Sequence, residues 1–234
     1  MDYIYILIDL DGTLLDFDKA ERSALSKTFR AMNIEPTDTL LEQYHLINKR
    51  CWEELERKII TKEELLIKRF SVLSETSGVP IEPHIANNIY KTLLAEQGDE
   101  IPHAEELLQA LRNYPTKIIA ITNGTMDVQR KRLAHSKVAK YFDDIVISEE
   151  IGFNKPSIQF FNFIFDKYPS LSAENAIVIG DSPSADILGA NNANLPSIWY
   201  NPKFSTLSEG IVCDYEVRNI MDILDVVKRK FNLI

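Results

Sequence analysis

The chain has 234 residues, 45% hydrophobic and 26% charged, enough to bury the core of one large domain or two modest ones. Its formal net charge of −9 leaves no basic field to collect phosphates, which excludes non-specific binding of a nucleic-acid polymer; an anionic substrate needs a metal or a few placed cations. No stretch approaches the ~20 apolar residues of a membrane span, the start resembles no signal peptide, and Cys51 and Cys213 match no metal or redox spacing. The expectation is a cytoplasmic protein with two reduced thiols and no membrane partner.

The first element is the apolar run "YIYILI" (3–8), followed at once by "DLDGT". Further Ile- and Val-rich runs stand at 117–122, 144–148, 176–180 and 196–200. They are apolar without strict alternation, as strands buried on both faces of a parallel sheet are. From 17 to 98 no such run occurs and helix signals take over. "DKAERSALSKTFRAM" (18–32) aligns Ala20, Ala24, Leu25, Phe29 and Met32 on one face. Thr61 and Glu64 have the spacing of a capping box, with Gly78 as the stop, and 82–98 reads as another helix closed by glycine. Beyond it, 103–113, 127–136 and 157–168 read as helices between strands, with the "RKR" run at 130–132 as a solvated helix face. The fold expected is α/β: a doubly wound parallel sheet, residues 1–16 and 99–234, interrupted by an all-helical insertion over 17–98.

In an open parallel sheet, ligands bind beyond the carboxyl ends of the strands. There the sequence places Asp9, Asp11 and Gly12; Thr122, Asn123 and Gly124; Lys155-Pro156; and "DSPSAD", Asp181 to Asp186. Asp9 and Asp11, two apart, point the same way in an extended chain, and Gly12 permits a sharp turn. With Asp181 they offer three hard oxygen groups, the donor set of Mg²⁺. Thr122 and the N–H groups of Asn123 and Gly124 suit phosphate oxygens, and Lys155 would keep the carboxylates ionised. Ser184 or Asp181 could cap the helix that follows. Taken singly, each motif also has a plain reading as a turn, a surface lysine or a helix cap. None of the four histidines falls in a motif.

In order, "DLDGT", "TNG", "KP" and "GDSPSAD" resemble the four motifs of haloacid-dehalogenase superfamily phosphatases, and the helical insertion resembles the superfamily's cap. Within it, 47–70, "ITNGTMDVQRKRLAHSKVAKYFDDIVISEEIGFNKP" and "NNANLPSIWYNP" resemble a bacterial branch that includes pyrimidine nucleotidases. Three positions depart from that branch: Lys58 where glycine is frequent, Pro183 where leucine is usual, and Ser157 in place of an acid.

The resemblance implies Mg²⁺-dependent hydrolysis of a small phosphomonoester, with a nucleoside 5′-monophosphate as one candidate. Asp9 would be the nucleophile and Asp11 the general acid/base. Thr122, Asn123, Gly124 and Lys155 would hold the phosphate. Asp9, the Asp11 carbonyl and Asp181 would hold the metal, with Asp186 orienting a metal water or Lys155. Tyr44, Trp52 and Arg69 are candidate substrate contacts in the cap, though aromatics at helical spacing are more often core. Alternatives are a sugar-phosphate or phosphoglycolate phosphatase, a phosphomutase, a dehalogenase, and a receiver-like phospho-switch without turnover. A monomer or a homodimer is expected.

Overall fold

The computed structural model describes residues 3–233. Six strands form one parallel sheet: β1 (Ile4–Asp9), β2 (Thr116–Thr122), β3 (Asp144–Ile147), β4 (Ala176–Gly180), β5 (Ser197–Tyr200) and β6 (Tyr215–Val217). Their order is β3-β2-β1-β4-β5-β6, so β1 lies centrally and the winding reverses between β1 and β4. Every β1 residue is buried. Because side chains alternate across a strand, Ile4, Ile6 and Ile8 face one layer, shared with α5 (Ala104–Leu111) and α10 (Asp222–Lys230). Tyr5 and Leu7 face the other layer, against α8 (Ile158–Lys167) and the short α9 (Leu188–Asn192). This two-sided burial is why the strands read as continuous apolar runs.

Between β1 and α5 run α1 (Phe17–Ala31), α2 (Asp38–Glu56), α3 (Lys62–Ser77) and α4 (Pro83–Ala95). Their buried faces form a separate apolar cluster around Phe29, Leu41, Tyr44, Phe70, Leu73 and Tyr90. The capping box of α3 forms as its spacing predicts: Thr61 accepts from the Glu64 N–H, and the Glu64 carboxylate accepts from the Thr61 N–H at 2.7 Å. Gly78 ends the helix in the left-handed conformation, φ +69°.

Two local expectations are corrected and two elements are added. Ser182, not Ser184 or Asp181, caps the wide helical turn over Pro183–Ile187, its Oγ accepting from the Ala185 N–H at 3.2 Å. In α6 (Met126–Ala134), Arg130 and Lys131 are exposed, but Arg132 is fully buried. Strand β6 and α10 were not singled out in the sequence; β6 is a three-residue edge strand with two exposed residues, too short for a periodic signal.

Candidate active site

The loop after β1 is drawn tight around one carbonyl. Leu10 O accepts from the N–H groups of Thr13, Leu14 and Leu15, at 3.3, 2.9 and 2.7 Å. Gly12 makes the turn at φ +88°, and a Cβ there would stand 2.4 Å from Asp181 Oδ2. Only glycine accommodates both the angle and the approach of that carboxylate. Asp9 and Asp11 therefore emerge at the carboxyl edge of the sheet, beside the ends of β2 and β4.

Lys155 is 1% exposed, and its ammonium is fully used. Nζ donates to Asp9 Oδ1 at 2.6 Å, Asp186 Oδ1 at 2.7 Å and Ile121 O at 2.9 Å. Asn123 straps the lysine backbone in both directions: its Oδ1 accepts from Lys155 N–H and its Nδ2 donates to Lys155 O, each at 2.8 Å. Asp186 is also tied, its Oδ2 accepting from Ser182 N–H at 3.1 Å. Burial works against the lysine's charge, but Asp186 and Asp9 outweigh it and hold the ammonium above its ordinary pKa.

Lys155 does not neutralise its neighbourhood. Burial, and then the charges of Asp186, Asp181 and Asp11, raise Asp9 well above the usual carboxylate range despite the lysine. Burial and Asp186 push Asp181 up to about 7. Oxygens of Asp9, Asp181 and Asp186 lie within 4.8 Å of one another. Three carboxylates against one ammonium leave a compact cluster short of positive charge. Hard oxygen donors, close spacing and that deficit fit a small divalent cation. Here Asp186 stands in the cluster where the Asp11 side chain was expected.

The Asp11 carboxylate turns instead toward α6. Arg132 Nη1 forms an ion pair with its Oδ1, and Gln129 Nε2 donates to its Oδ2 at 2.9 Å. Gln129 also donates to Thr122 Oγ1 at 2.8 Å, and Arg132 Nε donates to Gln97 O at 2.9 Å. Arg132 Nη2 has no partner. Sequence reasoning missed both residues. Val128, Gln129, Arg132 and Leu133 are all buried, so Arg132 lies on the inward face of α6, and its four-residue spacing from Val128 is the one sequence signal that could have marked it. The Gly124 N–H, expected to face a phosphate, donates to Thr122 Oγ1 at 3.0 Å. The threonine hydroxyl accepts twice there and keeps its own proton to donate.

Of the three candidates in the helical insertion, two lie in its packed interior. Tyr44 is fully buried, with Phe70 and Tyr90 rings centred 5.0 and 5.6 Å away, and has no surface for a substrate. Arg69 is 3% exposed and donates to Asn48 Oδ1 at 3.1 Å and Asn87 Oδ1 at 3.0 Å, over the Tyr90 ring. One edge of Arg69 reaches a cavity of about 40 Å³ between the insertion and Asp11. Trp52, half-buried, lines it too, with Phe17, Tyr90 and Arg132.

The fold and site together define an enzyme built on a doubly wound parallel sheet, with a carboxylate–lysine centre at the strand ends. A family model, haloacid dehalogenase-like hydrolase, matches residues 6–200, and the chain belongs to that family. It is 36% identical to the pyrimidine 5′-nucleotidase PynA of Streptococcus pneumoniae, over 98% of this chain and 97% of that protein. It is 31% identical to the pyrimidine 5′-nucleotidase YjjG of Escherichia coli, over 95% and 97%. The HAD-hydrolase YfnB of Bacillus subtilis, whose magnesium-bound orthorhombic crystal form reveals interdomain movement, superposes with a TM-score of 0.91 at 34% identity, covering 97% of this chain and 99% of that one.

Proposed function

We propose that this enzyme is a Mg²⁺-dependent phosphomonoester hydrolase working through an aspartyl-phosphate, with residues 17–98 as its cap. One observation carries the reading: two aspartates, two positions apart, are held by opposite partners. Asp9 is fixed by Lys155, and Asp11 is drawn aside by Arg132 and Gln129, so the two cannot exchange roles.

Lys155 occupies Asp9 Oδ1, which leaves Oδ2 as the attacking atom. Its lone pair forms the bond to phosphorus as the ester oxygen departs. Asp11, swung onto that oxygen, gives it a proton, then takes one from the water that displaces Asp9 from phosphorus and frees inorganic phosphate. The Thr122 hydroxyl and the Asn123 loop position the phosphoryl oxygens. Asp9, Asp181 and the Asp11 carbonyl would hold the Mg²⁺, which supplies the positive charge that offsets the phosphate. Asp186 keeps Lys155 aimed at Asp9.

For the substrate, the two nucleotidases at 36% and 31% identity favour a pyrimidine 5′-monophosphate, and the flat rings of Trp52 and Phe17 beside the cavity suit a base. The cavity's 40 Å³ holds no nucleoside, so that substrate requires the insertion to lift. A smaller sugar-phosphate leaving group would need less of that opening, which is the second reading. Phosphate release from pyrimidine and purine monophosphates, sugar phosphates and phosphoglycolate, with Mg²⁺ and with EDTA, separates the two. Asp9→Asn keeps an oxygen acceptor for Lys155 and should fold normally with turnover lost; an active Asp9→Asn enzyme would sink the nucleophile assignment.

A further inference from the structure

Lys62 is the first residue of α3, inside the helical insertion, yet its ammonium reaches the catalytic edge of the sheet. Nζ donates to Asn123 O at 2.8 Å, to Ser148 Oγ at 2.8 Å, and at 3.4 Å to Gly124 O. Ser148, 1% exposed, directly follows β3. One side chain thus ties the insertion to the loops after two strands.

Two features make this an unfavourable place for a lysine unless the contact is used. A helix N-terminus repels cations, through its unsatisfied N–H groups and dipole. The residue is also buried, 9% exposed, and burial pulls its ammonium's pKa down to about 8 even though Glu149 and Glu63 oppose that shift. Docking therefore takes a charge out of water, and what compensates is hydrogen bonding to backbone carbonyls of the Thr122–Gly124 loop. A carbonyl held on one side of a loop orients the peptide N–H on the other. The loop so held carries Asn123, whose side chain straps Lys155, and Thr122, whose hydroxyl meets Gln129.

We propose that Lys62 is a positioning residue that sets the phosphate-binding loop when the helical insertion docks, so that cap closure and phosphate binding are one coupled event. The proposal rests on the phosphatase reading of the site. It assigns Lys62 no contact with substrate. With the insertion lifted, the carbonyls of Asn123 and Gly124 lose their buried donor and the loop relaxes; with it docked, the cradle is preorganised.

The test compares wild type, Lys62→Met, Lys62→Arg and Thr61→Ala. Lys62→Met keeps the stem but removes the donors; it should raise KM and weaken inhibition by inorganic phosphate about tenfold, the worth of a hydrogen bond from a charged group. Its kcat should fall less. Lys62→Arg, which keeps charge and donors, should restore part of the loss. Thr61→Ala weakens the same helix start without touching Nζ and should leave KM and phosphate inhibition within about twofold. Hydrogen–deuterium exchange supplies a readout independent of turnover: the peptide covering 122–126 should exchange faster in Lys62→Met, while β4 stays protected. If Lys62→Met fails to fold, Lys62→Gln takes its place in both measurements. Unchanged phosphate inhibition and loop exchange, or losses matched by Thr61→Ala, would overturn the proposal. A wild-type enzyme that releases phosphate from no ester would overturn the phosphatase reading, and the exchange result would still decide whether Lys62 holds the loop.

Discussion

Replacing Lys155 by methionine tests the charge argument at the centre of the site. Methionine fills much of the lysine volume, so the perturbation is chiefly electrostatic. The ammonium it removes serves two carboxylates and one carbonyl in a site where Lys155 and Asp186 are each 1% exposed. Breaking a buried ion pair from one side costs ~3–5 kcal/mol, because the remaining charge is left uncompensated. At ~2–4 °C per kcal/mol for a chain of this size, the melting temperature should fall by roughly 6–20 °C in EDTA. Millimolar Mg²⁺ should return part of the loss, since the cation would offset the charge of Asp9 and its neighbour Asp181. The assay is a thermal melt of wild type, Lys155→Met, Asp186→Asn and the double variant, with and without the metal. The double variant should be less destabilised than the sum of the singles by ~1 kcal/mol or more, because both remove the same pair. A fall of less than ~2 °C for Lys155→Met, about 1 kcal/mol at most, would refute the view that the cluster depends on this lysine.

Arg132→Met should cost ~10²-fold in kcat with KM little changed, because Asp11 loses the partner that keeps it apart from Lys155 and the Asp9 cluster before it swings onto the ester oxygen; steady-state kinetics with an unchanged kcat would remove Arg132 from the mechanism. Gly12→Ala forces a side chain into a left-handed turn against Asp181, costing ~1–3 kcal/mol. Calorimetric titration should also show weaker Mg²⁺ binding, and an unaltered affinity would contradict the cradle. His45 is raised by its hydrogen bond to Glu21, at 2.6 Å, against the opposing effect of burial. Its contribution is full below the ordinary histidine pKa, near 6.5, and is lost as pH rises through the raised folded value. Melts across that window should show stability declining, with a flatter slope in His45→Gln; parallel slopes would exclude His45.

The local chemistry could be read from the sequence because it is written in neighbouring residues. Five of the six strands announce themselves as Ile- and Val-rich runs, since burial on both faces leaves no polar alternation. Asp9, Thr122 and Asp181 follow those runs directly, so finding the strand finds the residue. Thr61, Glu64 and Gly78 mark α3 by interactions within a few positions. The edge strand β6, three residues long, carries no such signal.

What only the tertiary structure decided is where polar side chains on helices point. Arg132 and Lys131 are adjacent and chemically alike, yet one is buried on Asp11 and the other is exposed, because the packing of α6 chooses the face. Tyr44 and Arg69, named as candidate substrate contacts, lie in the core of the insertion, Arg69 with one edge on the cavity. Nothing in the sequence marks Lys62, and only the packing of α3 against the loop after β2 shows its contact. Strand burial and helix capping act over a few residues, so the sequence by itself determined five of the six strands and the residues at their carboxyl ends. Arg132 and Gln129, which hold Asp11, and Lys62, which ties the Thr122–Gly124 loop to α3, come from more than sixty positions away, and only the packing of helices on the sheet brings them there.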